Sequence, residues 1–131
     1  MRLALTLIVW MISFITHAQS AQVFISFSMP ERLLIETLRD SAALQIPATL
    51  NGLYENSVEQ TALKVMVLSK EIPELQIQID PTAFERFNVK QVPALVISYG
   101  DCFDVIYGNL PLREGLSRIR EKGGCSKRGA G

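Results

Sequence analysis

Val23-Phe24-Ile25-Ser26-Phe27-Ser28-Met29-Pro30-Glu31 is the stretch on which the fold reading turns. Its first five residues are apolar, β-branched or aromatic around one serine, the composition of a buried strand. Its last four open a helix. Ser28 stands three residues before Glu31, the spacing of a capping box, and Pro30 falls in the first turn, where a missing N–H is tolerated. Leu33, Leu34, Leu38 and Ala42 continue as an apolar helical face to about Leu44, and Pro47 excludes further helix. A strand therefore feeds straight into a helix.

Outward from this core the pattern repeats. Ala48 to Leu53 reads as a second strand, weakened by Asn51-Gly52. Asn56-Ser57-Val58-Glu59 starts a helix running to about Lys70, with Val58, Ala62, Val65, Met66 and Ser69 predicted on its inner face. Beyond Pro73, Leu75, Ile77 and Ile79 alternate with Gln76 and Gln78, as in a half-exposed strand. Asp80-Pro81 supplies a cap and a first-position proline for a short helix through Phe84 and Phe87. Ala94 to Tyr99 is a buried strand, Gly100-Asp101 a turn, and Phe103 to Tyr107 the return strand of a hairpin. Leu112, Leu116 and Ile119 mark a closing helix, and the chain is expected to fray after about residue 125. The order β-α-β-α-β-short helix-β-β-α defines a single α/β domain. Val92-Pro93 stands immediately before a buried strand, where the peptide bond is either trans, as most are, or cis.

Composition narrows the function. The chain has 131 residues, 48% of them apolar, and 13 basic against 13 acidic side chains. That is enough apolar material for one packed core and too much for a disordered chain. Zero net charge argues against binding nucleic acid through its phosphates. Two cysteines, Cys102 and Cys125, are too few for a structural zinc site, so no metal or cofactor is expected.

The first 18 residues read as an export signal. Met1-Arg2 is a basic start, Leu3 to Ile15 an apolar run, and Thr16-His17-Ala18 a small-residue cleavage pattern. The alternative, a membrane anchor, needs about 20 apolar residues. Cleavage leaves a domain over 19–131 with no stable membrane span. It also removes the only histidine, His17, and the only tryptophan, Trp10. A chain without histidine has no Ser-His or Cys-His nucleophile pair and no imidazole ligand.

Two segments carry a resemblance. Ile79-Asp80-Pro81, Phe87-Asn88-Val89-Lys90-Gln91-Val92-Pro93-Ala94-Leu95 and the hairpin and helix after them resemble the part of thioredoxins that contains their cis-proline. Ser28-Met29-Pro30-Glu31 stands where a thioredoxin carries Cys-x-Pro-Cys, with Ser28 and Glu31 in place of both thiols, and the helix Asn56 to Lys70 resembles an insertion. More closely, the chain resembles the F-type TrbC family of conjugative pilus assembly proteins. The residues concerned are Val23 to Pro30, Pro47 to Leu53, Ile79-Asp80-Pro81 with Phe84 and Phe87, Val92-Pro93-Ala94, and Gly108-Asn109. The resemblance implies a thioredoxin-like domain lacking the CxxC redox motif. It also implies a periplasmic, non-enzymatic component of a plasmid-encoded type IV secretion system, whose partners are other periplasmic proteins of that apparatus. Asn51 stands where the family pattern often has arginine, so no role of that arginine transfers here.

Each candidate site carries two readings. Ser28, Met29 and Pro30 form either a helix cap or the edge of a docking groove whose other side is Val92 and Pro93. Val92-Pro93 is either a structural turn or a backbone site for an extended peptide. Asp101 and Asp104 read as solvated turn residues. The basic C-terminal end, from Arg113 to Arg128, either complements a helix dipole or meets an anionic partner.

A closing helix packed back along the sheet returns its end to the turn that holds Cys102, so a Cys102–Cys125 disulfide is expected, against two free thiols. Such a loop closure stabilises by about 3 kcal/mol in the chain-entropy picture. Three function classes remain: a non-catalytic assembly factor, a thiol–disulfide oxidoreductase, and a chaperone-like or general periplasmic binding module.

Overall fold

The computed structural model describes residues 19–129, with side chains through Ser126. The expected export signal at 1–18 lies outside the described residues, as do the side chains of Lys127 and Arg128. In chain order the elements are β1 (Ser20–Ile25), α1 (Glu31–Ala43), β2 (Ala48–Leu50), a 3-10 turn at Tyr54–Asn56, α2 (Val58–Glu71), β3 (Ile77–Ile79), α3 (Pro81–Arg86), β4 (Ala94–Ser98), β5 (Phe103–Tyr107), α4 (Leu112–Lys122) and α5 (Gly124–Gly129). The strands form one sheet in the order β3-β2-β1-β4-β5. β1, β2 and β3 run parallel, while β4 is antiparallel to β1 and β5 to β4. The expected α/β class is observed. Among the described residues no helix is long and apolar enough to cross a membrane.

Alternation along the strands divides the core into two layers. Val23, Ile25, Leu95 and Ile97 pack with Leu34 and Leu38 of α1, Leu68 of α2, and Leu112 and Ile119 of α4. Phe24, Ala94 and Val96 face the other way, against Ala83 and Phe84 of α3 and the adjoining Phe87. The Phe24 and Phe84 rings meet edge to face, with centroids 4.8 Å apart. Local caps start two helices as the sequence predicts. The Ser57 hydroxyl accepts the Gln60 N–H (3.1 Å), and the Asp80 carboxylate accepts the Ala83 N–H (3.1 Å).

Four expectations are corrected. First, Ser28 does not cap α1. Its hydroxyl lies 2.7 Å from that of Ser26, Pro30 takes the N-cap position, and no side chain bonds the first turn. A turn intervenes, closed by Met29 N–H to the Ser26 carbonyl (3.2 Å), so β1 ends at Ile25. Second, β2 stops at Leu50, because the chain bends at Asn51-Gly52.

Third, the inner face of α2 is built on Thr61 and Leu68, with Val65 partly buried, and leaves Val58 and Met66 in solvent. Apolar residues occupy both sides of this helix, so spacing alone does not choose between them. Thr61 decides it. Its hydroxyl donates to the Ser57 carbonyl (2.6 Å) and accepts the Tyr54 N–H (2.8 Å), contacts that require it to face inward. Fourth, Asp104 is not a solvated turn residue; its carboxylate bonds the backbone at the start of α5. That short helix occupies the segment where fraying is expected.

A candidate docking cleft at the carboxyl ends of the parallel strands

Three connections meet beyond the carboxyl ends of β1 and β2. They are Ser26–Pro30 leading into α1, Asn51–Glu55 after β2, and Val89–Val92 ahead of β4. Between them lies a cleft of about 630 Å³. Crevices outside the carboxyl ends of strands are where open α/β sheets bind ligands. The apolar wall comes from Ile25, Phe27, Leu50, Phe84, Val89 and Val92, and Ser28, Gly52, Leu53, Glu55 and Lys90 lie at its polar and exposed margins.

Each margin is held by identifiable contacts. Ser26 fixes the first: its hydroxyl accepts the Ser28 N–H (3.2 Å) and its own N–H meets the Met29 sulfur at 3.4 Å. The second is fixed through Tyr54, whose ring stands edge-on to Phe27 at 5.7 Å and whose N–H is bonded to Thr61. Glu55 and Asn56 adopt left-handed backbone there, with φ of 51° and 54°. The third is closed by Val89 N–H to the Phe84 carbonyl (2.9 Å), and the Tyr107 hydroxyl donates to the Asn88 carbonyl (3.2 Å).

The sequence-derived site residues separate on inspection. Ser28 and Val92 line the cleft. Met29 does not edge it. Only 8% exposed, it packs into the core beneath α1, because the Ser26–Met29 turn points its side chain inward. Pro30 is exposed at the start of α1, and Pro93 is buried behind Val92, joined to it by a cis peptide bond. Among the described residues the Val92 N–H and C=O have no backbone partner, whereas the Pro93 carbonyl accepts the Gly108 N–H (3.1 Å).

Cys102 and Cys125 are bonded to each other, with Cα atoms 5.7 Å apart. They lie at the far end of the strands from the cleft. The register pairs Ser20 with Ser98 and Ser98 with Phe103 at that end, and Phe24 with Ala94 and Ala94 with Tyr107 toward the cleft. Near the disulfide, burial pushes the Tyr99 phenol above its ordinary pKa of 10.0, and the Asp104 carboxylate adds to that rise. Sequence reasoning missed the left-handed Glu55-Asn56 turn and the Tyr54–Phe27 contact, for which no local signal exists.

Comparison with known proteins places the chain. The family model for the F-type TrbC proteins, described as type-F conjugative transfer system pilin assembly proteins, matches residues 23–119. The chain belongs to that family. It is 38% identical over 107 residues to the periplasmic protein TrbC of Escherichia coli (strain K12), a match that covers 82% of this chain and 50% of the relative. The chain thus spans about half the length of that curated relative. No solved structure matches it.

Proposed function

We propose that the chain is a periplasmic assembly factor of the F-type conjugative transfer apparatus. It carries out no chemistry and works by holding an extended segment of another transfer protein in the cleft. Family membership and the relative's periplasmic designation support the setting. The passage from β1 into α1, the cis Val92-Pro93 bond, and the β4–β5 hairpin followed by α4 support a thioredoxin-like fold in which α2 is an inserted helix.

One observation carries the mechanism: Val92 lines the cleft with its backbone donor and acceptor both unpaired among the described residues. An extended peptide laid beside it gains main-chain hydrogen bonds, as in strand addition, and the apolar wall takes alternate side chains. Ser28 flanks this path, the buried Met29 and Pro93 support it from behind, and Pro30 is exposed beside it at the start of α1. Thiol exchange needs an accessible thiolate. Ser28 and Glu31 offer none, and both cysteines are joined to each other away from the cleft.

Gly52 provides the test. Gly52 lines the cleft and a Cβ added there meets nothing within 4 Å, so Gly52→Trp is expected to be accommodated and to crowd the cleft from its margin. The expected result is an unchanged thermal melt and a fall in plasmid transfer. Normal transfer by a folded Gly52→Trp protein would rule the cleft out. Glutathione-coupled turnover above that of a Cys102→Ser, Cys125→Ser double variant would overturn the non-catalytic reading.

A further inference from the structure

Helix α2 turns an apolar face to solvent. Val58 is 70% exposed, Leu63 46%, Met66 50% and Val67 63%, a concentration of large apolar side chains that a solvated helix does not need. Within it, Glu59, Leu63, Met66 and Lys70 stand at i, i+4, i+7 and i+11, so all four fall on one line along the helix. All four are exposed, and neither Glu59 nor Lys70 forms an ion pair among the described residues. The other side of α2 is fully used. Thr61 and Leu68 are buried, and Glu71 at its end is paired with Arg39 of α1 at 2.7 Å.

We propose that this line is a self-association surface, on which α2 packs antiparallel against α2 of a second copy of the chain. The line reads negative, apolar, apolar, positive. Turned about a two-fold axis between positions 64 and 65, it meets itself in complement. Glu59 faces Lys70 of the second copy, Leu63 faces Met66, and symmetry repeats each contact. Ala62 and Val67 then flank the apolar centre. The same line laid parallel on itself would oppose like charges at both ends, so the charges select the antiparallel arrangement. A helix of 14 residues is only about 21 Å long, which fits a small interface and a weak, concentration-dependent dimer. None of the four residues on this line lines the cleft.

Charge exchange tests the proposal, read by sedimentation velocity over a concentration series of the purified chain. The unaltered protein dimerises as concentration rises. Glu59→Lys alone and Lys70→Glu alone each place like charges opposite one another, and each shifts the equilibrium to monomer. Mixing these two variants in equal amounts restores dimer, because every pair across the interface is again opposite in sign. The double variant Glu59→Lys, Lys70→Glu also dimerises, for the same reason. Both residues are exposed, so the far-UV dichroism of each variant stays as in the parent and shows that it is folded. An unaltered protein that is monomeric up to about 0.5 mM overturns the proposal. So do single variants that dimerise as well as the parent, or a mixture that fails to restore the dimer. Restoration by mixing is an outcome that a surface serving a different partner does not produce.

Discussion

The Asp104 carboxylate accepts the backbone N–H of Cys125 at 3.2 Å. Its second oxygen accepts the N–H of Ser126 at 3.1 Å. Strand β5 and helix α5 are therefore joined by a charged acceptor as well as by the Cys102–Cys125 disulfide. Gly123 makes the approach feasible, because a Cβ at that position would collide with Asp104 Oδ2 and the Ile119 carbonyl.

Replacing Asp104 tests that junction. Asp104→Ala leaves both N–H groups without their acceptor and is expected to destabilise by about 1–2 kcal/mol. Asp104→Asn keeps one oxygen and loses less. Gly123→Ala is expected to destabilise as well, through overlap rather than a lost bond. Thermal melts of the oxidised proteins rank the three; an Asp104→Ala melt equal to the parent would show the contacts to be without energetic weight.

Met29 belongs to the core, and its substitutions should behave accordingly. Met29→Glu places a carboxylate where no partner exists and is expected to cost about 3 kcal/mol or more. Met29→Leu conserves volume and shape closely enough to stay within about 1.5 kcal/mol. Urea unfolding distinguishes the two. A Met29→Glu protein as stable as the parent would return this side chain to the surface.

Asp40 on α1 caps a helix 72 residues away. Its carboxylate accepts the Leu112 N–H at 3.1 Å, at a helix start where Pro111 offers no side-chain cap. Asp40→Ala is expected to lower stability by about 1 kcal/mol and to raise hydrogen exchange in the first turn of α4 above that in α1.

Tyr99 predicts the response to alkali. Its phenol titrates above 10.0 in the folded chain, first through burial and then through Asp104. The unfolded chain therefore loses this proton at lower pH than the folded one does. The contribution is whole below pH 10 and is lost as pH rises through the folded value. Tyr99→Phe has no such proton to lose, so its melting temperature should fall less steeply than the parent's above about pH 10. Equal slopes would show that Tyr99 ionises alike in both states.

Much of this molecule is local and was therefore legible in the residues. Ser57 and Asp80 cap their helices through bonds to the third residue on, so spacing alone located both. The unbroken apolar runs Val23 to Ile25 and Ala94 to Ile97 marked the central strands, because a buried strand needs apolar side chains on both faces. The motifs around Ser28-Met29-Pro30 and Val92-Pro93 pointed to the TrbC family, and two of those residues, Ser28 and Val92, line the cleft.

Tertiary contacts decided the rest, for reasons that no short window of sequence contains. Ser28 and Glu31 have capping-box spacing, yet the Ser26 hydroxyl engages Ser28 and the helix begins later. Apolar residues on both sides of α2 left its buried face ambiguous until Thr61 bonded Tyr54 and Ser57. Asp40 and Asp104 resemble any exposed aspartate in sequence, and their partners lie 72 and 21 residues away. The sequence by itself determined the order of the five strands and of helices α1 to α4, since hydrophobic period and caps act within a few residues. Only the tertiary structure decided which face each element buries, where Met29 points, and that three loops enclose a cleft, since those outcomes depend on groups the fold brings together.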